Sequence, residues 1–458
     1  MINAEKLDKL FHLTESGTTV RTEMVAGITT FVTMAYILAV NPAILSACGM
    51  DAQAVLIATA LSAFVGTMCM ALMANYPFAL APGLGLNAYF AFTICGQMGH
   101  SWQFALLAVL AEGLIFIVLS LTRVREAIFN AFPVSLKNGI TVGIGLFVAF
   151  IGMQGAHLVI DSPSTLVRMI DFNENFGNPH LASLLGLNGL LVIAVLHVKG
   201  VKGSILIGTF ITWLLGVICQ LCGFYTVDPA HGFSSLLPAW SEFNLGALGK
   251  TLGQCVNIEA IGKFNWLDFG VVMFSFLMVD MFDTIGTLVG VAGQADMLDK
   301  DGKLPRINQA LLADAVATTT GAVLGTSTVS TFVESSSGVM EGGRTGLASV
   351  VTALLFLLSV FLAPVFTVIP SFATAPALIF VGFMMISAIV KIDFKDMISA
   401  IPAYLCLLSM PLTYSISEGI CIGTISYVLI GLFCGKGREV STMMYLLAVL
   451  FVLKYVFL

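Results

Sequence analysis

Charge is scarce in this chain. Of its 458 residues, 20 are Lys or Arg, 26 are Asp or Glu and 6 are His, whereas 58% are apolar. Globular soluble domains carry about 25% charged residues; here the share is 10%. With a mean hydropathy of +0.98, a soluble protein is excluded. No H-E-x-x-H or G-x-S-x-G string occurs, which removes two common routes to hydrolysis. The N-terminus lacks the apolar core and cleavage site of a signal peptide, so the first span is expected to stay in the membrane. Most of the nine cysteines lie in apolar runs, and the lone C-x-x-C pair, Cys219 and Cys222, has no second pair or histidine beside it. Apolar filler fits them better than a metal or redox site. The net charge of −6 says little about partners, because membrane orientation follows Lys and Arg placement. Nothing points to nucleic acid.

What the chain has in abundance is apolar runs, many close to the roughly 20 residues that a bilayer-crossing helix requires. They predict an all-α polytopic membrane protein of 14 transmembrane segments, with spans at 24–45, 53–73, 78–97, 103–121, 137–154, 186–199, 203–222, 266–292, 306–323, 325–341, 346–366, 374–390, 396–413 and 417–434. A further apolar segment, 441–458, either crosses the membrane or lies in the interface with Lys454 snorkelling. Residues 1–23 are read as a cytoplasmic N-terminal segment. Alternating from there puts sixteen basic residues on the cytoplasmic side, from Lys6 to Arg438, against Arg168, Lys250 and Lys263 outside. Such a bias is the positive-inside pattern expected of a multi-pass protein of the bacterial cytoplasmic (plasma) membrane.

The two halves resemble each other. Ile205–Cys219 matches Ile420–Cys434 at seven of fifteen places, and adding 247 maps span 24–45 onto 271–292. Seven spans per copy is an odd number, so the repeats are inverted, as in many secondary transporters. The third span carries Pro77, Pro82, Gly83 and Gly85, which break a helix. The tenth, Leu324 to Gly338, is rich in Thr, Ser and Val, which favour extended chain. Each is expected to form a short extended strand followed by a half-helix, the two strands pairing so that their backbone groups are satisfied. The 247 offset also sets Asn87 against Glu334.

The span 266–292 holds Asp280 and Asp283, three residues apart and hence near one face of a helix, with Gly286, Gly290 and Gly293 continuing that face. Carboxylates at this depth mark substrate or proton paths more often than ordinary packing. Asp283, Glu334 and Asn87 are therefore expected around one central site, with Ala88 and Ser335 beside them at the half-helix starts. Two acceptor carboxylates and a carboxamide suit a flat neutral heterocycle such as a nucleobase, with Phe282, Phe332 or Phe90 covering its face. A buried carboxyl can also carry a proton; Glu334 and Asp283 lead, followed by Asp280 and Glu112. Glu112 and Asp314 otherwise read as supports for the broken helices. Thr30 and Thr33 either border the cavity or bond their own helix. His157 and His197 sit at span ends. No metal or cofactor is expected; the proton gradient is the driving force.

Three segments carry a specific resemblance: Gly83-Leu-Gly-Leu-Asn-Ala-Tyr-Phe90, Val279-Asp-Met-Phe-Asp-Thr-Ile-Gly-Thr287 and Thr331-Phe-Val-Glu-Ser-Ser-Ser-Gly338. They are similar to the AzgA-like purine permeases of the nucleobase–ascorbate transporter superfamily, and the likeness runs end to end, through Gly342–Leu347 and Pro411–Gly419. The resemblance implies seven-plus-seven inverted repeats with a core domain (24–121 and 266–366) and a gate domain (137–222 and 374–434). It implies adenine, hypoxanthine or guanine as substrate, proton symport and a possible homodimer. It also assigns Asp283 and Glu334 as the substrate-contacting acids, with Asn87 a functional residue of span three. The competing readings are an anion carrier or a uracil or xanthine transporter on the same plan, and an intramembrane enzyme, which the two aspartates on one helix do not suit.

Overall fold

A computed structural model describes residues 4–121, 132–173, 176–228, 233–238, 244–257, 259, 265–294, 297 and 304–457. Of the basic residues assigned above to the two sides of the membrane, Arg123, Arg125, Lys263, Lys300 and Lys303 lie outside these; the side chains of Phe282 and Lys454 and the surroundings of Gly286, Gly290 and Gly293 are likewise not described.

The chain is mostly helical. Helix α1 (Ala4–Phe11) precedes α2 (Val20–Met34), which is interrupted at Ala35 and Tyr36 and resumes as α3 (Ile37–Ser46). The first span thus begins four residues before the expected position, because the Thr19 hydroxyl accepts from the Thr22 N–H and caps it. Next come α4 (Ala52–Cys69), strand β1 (Leu80–Pro82), α5 (Leu84–Ala88), α6 (Trp102–Leu121) and α7 (Val134–Gly155). A hairpin, β2 (Val159–Ser162) and β3 (Leu166–Met169), occupies the long loop that follows, where no regular structure was expected. Helix α8 (Asn178–Val198) starts eight residues early, since Pro179 suits a first helical turn and His180 is buried there. Then follow α9 (Ser204–Leu221), α10 (Trp266–Gln294), α11 (Ile307–Leu324), β4 (Val329–Thr331) and α12 (Ser335–Met340). The chain closes with α13 (Gly346–Ser359), α14 (Ala363–Phe366), α15 (Ser371–Ile386), α16 (Met397–Thr413), α17 (Ile416–Phe433) and α18 (Thr442–Phe457). Among the described residues, nine helical segments are long and apolar enough to cross a membrane.

Helix α18 runs antiparallel to α17 along the bundle. Near its start Tyr445 donates to the Gly437 carbonyl, and near its end the Tyr455 hydroxyl bonds Glu418 in the first turn of α17. Phe451 meets Phe274 of α10 between them. Segment 441–458 therefore lies beside spans and not across their ends.

Strands β1 and β4 pair antiparallel, with Leu80 opposite Thr331, Ala81 opposite Ser330 and Pro82 opposite Val329. The ribbon is extended at each end by Gly83 N–H to the Thr328 carbonyl and Phe332 N–H to the Ala79 carbonyl, both 3.0 Å. Its outer edges are closed by threonines. Leu80 N–H donates to Thr67 of α4 at 2.9 Å, and Thr318 of α11 donates to the Val329 carbonyl at 2.9 Å. Pro82, having no N–H, leaves no donor to satisfy. Around this ribbon pack α3, α4, α10 and α11, with α6 against α11 and α13 against α2 and α4. A second group forms beside it, with α7 on α15 and α16, α16 on α17, and α8 on α9 and α15.

Thr318→Val should leave the Val329 carbonyl without its donor and lower stability by about 1–3 kcal/mol. Thr320→Val, which removes a bond only to its own helix at Val316, should cost far less. Thermal unfolding of the two variants in detergent measures the difference.

Candidate functional site

Both strands run straight into short helices, and the residues at those junctions line a cavity of about 440 Å³. Gly83 stands at the N-cap of α5 and Glu334 at that of α12. A Cβ on Gly83 would come within 2.8 Å of Ser330 Oγ, so a side chain there would have to displace the hydroxyl that bonds Asp283. Asp283 and Thr287 enter the cavity from α10, Phe332 from the end of β4, and Tyr36 from the break between α2 and α3. The opposite wall belongs to the second helix group: Asn138, Thr141 and Ile144 of α7, with Met384 and Met385 of α15 and Lys391 just beyond it. The cavity thus lies between the two groups.

Asp283 and Glu334 are held differently. Glu334 is buried, and the Tyr36 hydroxyl donates to its Oε1 at 2.6 Å. Asp283 is half-buried and accepts from Ser330, the middle residue of β4, at 3.0 Å. Tyr36, Ser330, Asn138 and Thr141 escaped the sequence reading. Tyr36, Asn138 and Thr141 sit in apolar runs and Ser330 in the Thr-Ser-Val run, where composition singles none of them out.

Several candidates lie elsewhere. Asn87 is fully buried and does not line the cavity; its carbonyl accepts from Ser327. The 247 offset misplaced it. Strand β1 maps to β4 by 249 (80 to 329), so Glu334 follows its strand by three residues (334 − 331) and Asn87 by five (87 − 82). Two residues rotate a helical side chain by about 200°, enough to turn it from the cavity. Ala88 is buried beside it. Ser335 also misses the cavity and instead accepts from the Ala79 N–H at 3.0 Å, bracing β1. Thr30 is buried where α2 meets α12 and a Cβ on Gly338 would collide with its hydroxyl. Phe90 packs on Phe276.

The remaining acids do not line this cavity. Asp280 is fully buried and accepts from Thr284 at 3.1 Å, and the same hydroxyl lies 3.0 Å from Asp314. Three residues leave about 60° between Asp280 and Asp283, which suffices to aim one at α11 and the other into the cavity. Glu112 accepts from Thr328, next to β4, at 2.8 Å. His157 lies against Phe233 and His197 against Phe380. No group of three or more His, Cys, Asp or Glu is placed to hold a metal ion among the described residues.

A cavity of this size is within the usual range for small-molecule sites. Two carboxylates on one wall accept hydrogen bonds, the amide and hydroxyls opposite offer both signs, and Phe332 supplies an aromatic surface. Such a cavity between two helix groups of a polytopic bundle defines a membrane permease. The chain belongs to the permease family whose model matches residues 21–422, and within it to the AzgA-like purine permeases. It is 46% identical to a putative permease of Methanocaldococcus jannaschii (99% of this chain, 98% of the other). It is 40% identical to the adenine permease AdeP of Escherichia coli (98% and 96%) and 43% to the guanine/hypoxanthine permease PbuG of Bacillus subtilis (98% and 99%). Among solved structures it shares the fold of the transmembrane domain of the cyanobacterial bicarbonate transporter BicA, at a TM-score of 0.62 and 16% identity over 88% of this chain and 96% of that one. Murine Slc26a9, described as an anion transporter in the inward-facing state, gives 0.61 at 12% identity, over 90% and 68%.

Since the Asn87 side chain faces Ser327, Asn87→Ala should lower stability by about 1–3 kcal/mol and leave the pattern of competing ligands unchanged. A thermal-shift series with purine analogues reads both effects.

Proposed function

We propose that this protein is a proton symporter that takes up purine nucleobases across the cytoplasmic membrane. The observation that carries the reading is the convergence of Asp283 and Glu334 in one cavity between two helix groups. In it, a base presents N–H edges to the carboxylates and its ring to Phe332, while a proton rides on one of the two acids. Asp283 and Glu334 stand as the substrate-binding pair; Asn87, Ala88, Ser335 and Thr30 act as the frame that positions them. The names of the relatives support a purine, and they divide between adenine and guanine or hypoxanthine.

Transport works by alternating access, the core (24–121 and 266–366) moving against the gate (137–222 and 374–434) in a fourteen-span, inverted-repeat bundle whose N-terminus faces the cytoplasm. Contacts at one end support a closed outer face. Ser275 and Ser417 hydroxyls lie 2.8 Å apart, and Thr93 donates to the Tyr414 carbonyl at 3.1 Å, each joining core to gate. Lys391, at the cavity's other end, is exposed. An anion carrier fits less well, because two carboxylates in the cavity repel an anion.

Coupling one proton to a neutral base supplies about 1.4 kcal/mol per pH unit and about 2.3 kcal/mol per 100 mV. A protonophore should therefore collapse accumulation about tenfold for each pH unit of gradient removed. Glu334→Ala and Asp283→Ala should each abolish uptake of radiolabelled adenine, hypoxanthine and guanine while the protein still reaches the membrane. Normal uptake by either variant, or accumulation indifferent to the protonophore, overturns the reading.

A further inference from the structure

A second cavity, of about 240 Å³, adjoins the first. The two share Glu334, Ser336 and Met384 and otherwise have different walls. Asp283, Phe332 and the Gly83–Leu86 turn belong only to the first. The second lies between the start of α12 and the α8–α9 turn, with Thr33 and Ser337 on one side and His197, Lys202 and Ser204 on the other. Glu334 is thus reached from two directions, and one of them avoids every other residue proposed to touch the base.

The chemistry of the second cavity is that of a water pocket. Hydroxyls recur along its walls, and its volume holds several water molecules at about 30 Å³ each. Ser204 Oγ lies 3.5 Å from His197 Nδ1, and Lys202 pairs with Glu341 at 3.3 Å, so its basic groups are tied to neighbours and to solvent. Its Gly200, Lys202 and Gly203 rim lies on the side assigned above to the cytoplasm. The charged and titratable groups facing Glu334 are Tyr36, which bonds it, Asp283 and Lys391 around the first cavity, and His197 and Lys202 around the second.

We propose that the second cavity is a water-filled proton route from Glu334 to the cytoplasm that stays open while a base fills the first cavity. The inference rests on the preceding reading, in which the base occupies the first cavity and a proton rides on one of its two acids, and it assigns that proton to Glu334. On release, the carboxyl O–H bond breaks, the proton passes to a water in the second cavity and on to bulk water, and the carboxylate keeps the electron pair. The proton and the base then leave by separate doors, in either order.

Two single-cysteine replacements in the full-length protein test this, each measured above the reactivity of the nine native cysteines. Ser337→Cys reports on the second cavity and Asn138→Cys on the first. In inside-out vesicles, a small charged methanethiosulfonate reagent is applied with and without saturating adenine, hypoxanthine and guanine. The expected result is at least tenfold slower labelling of Asn138→Cys with base and less than twofold change for Ser337→Cys. Slowing of both means one shared entrance and overturns the separate route alone. Slowing of neither overturns the placement of the base, and with it the route. Ser337→Leu, which fills the second cavity, should cut gradient-driven accumulation tenfold or more while counterflow exchange, which needs no proton release, stays within about threefold. Equal loss of both activities, or of neither, counts against the route.

Discussion

Extended backbone inside an apolar bundle has no water to bond, so every N–H and C=O of β1 and β4 must find a partner in the protein. The molecule meets this demand by pairing the two strands and bonding their outer edges to threonines on the flanking helices α4 and α11. Much of the buried polar chemistry follows from it. Glu112 holds Thr328, Ser335 holds Ala79, and Asn87 is held by Ser327, each next to a strand. These groups resemble ligands in a list of buried polar residues. Their geometry is that of a frame, built to keep a short ribbon stable where a helix would have satisfied itself.

The frame explains why the cavity exists where it does. Ending a strand and starting a helix brings the chain around a tight turn at Gly83 and again at Glu334; antiparallel pairing sets the two turns at opposite ends of the ribbon, and because each strand is only three residues long both still line the same space. Asp283, on the uninterrupted α10, approaches through Ser330 at the ribbon's centre. Ribbon, acid and cavity are consequently one unit. The second helix group meets it through apolar, hydroxyl and carboxamide surface, Met384, Thr141 and Asn138 among them, which suits the alternating access proposed above.

Buried acids also divide by the company they keep. Asp280 and Asp314 meet one Thr284 hydroxyl away from the cavity, whereas Glu334 keeps a tyrosine donor within it. Helix geometry accounts for the separation of Asp280 from Asp283, since a rotation of about 60° is enough to place neighbours on one face into different environments.

Much of this was legible in the residues. The scarcity of charge marked a membrane protein, the prolines and glycines from Pro77 to Gly85 and the Thr-Ser-Val run from Thr326 to Thr331 marked two broken spans, and carboxylates inside apolar spans marked Asp283 and Glu334. Those signals are local: composition and spacing carry them because helix propensity and the expense of burying charge act residue by residue. Direction was not legible. That Asn87 turns to Ser327, that Tyr36 reaches Glu334 across almost three hundred residues, and that a second hollow touches Glu334 from behind depend on where each strand ends and which helix packs beside it. Only the assembled bundle decides those, because a rotation of one or two residues along the chain leaves composition unchanged and reverses what a side chain faces.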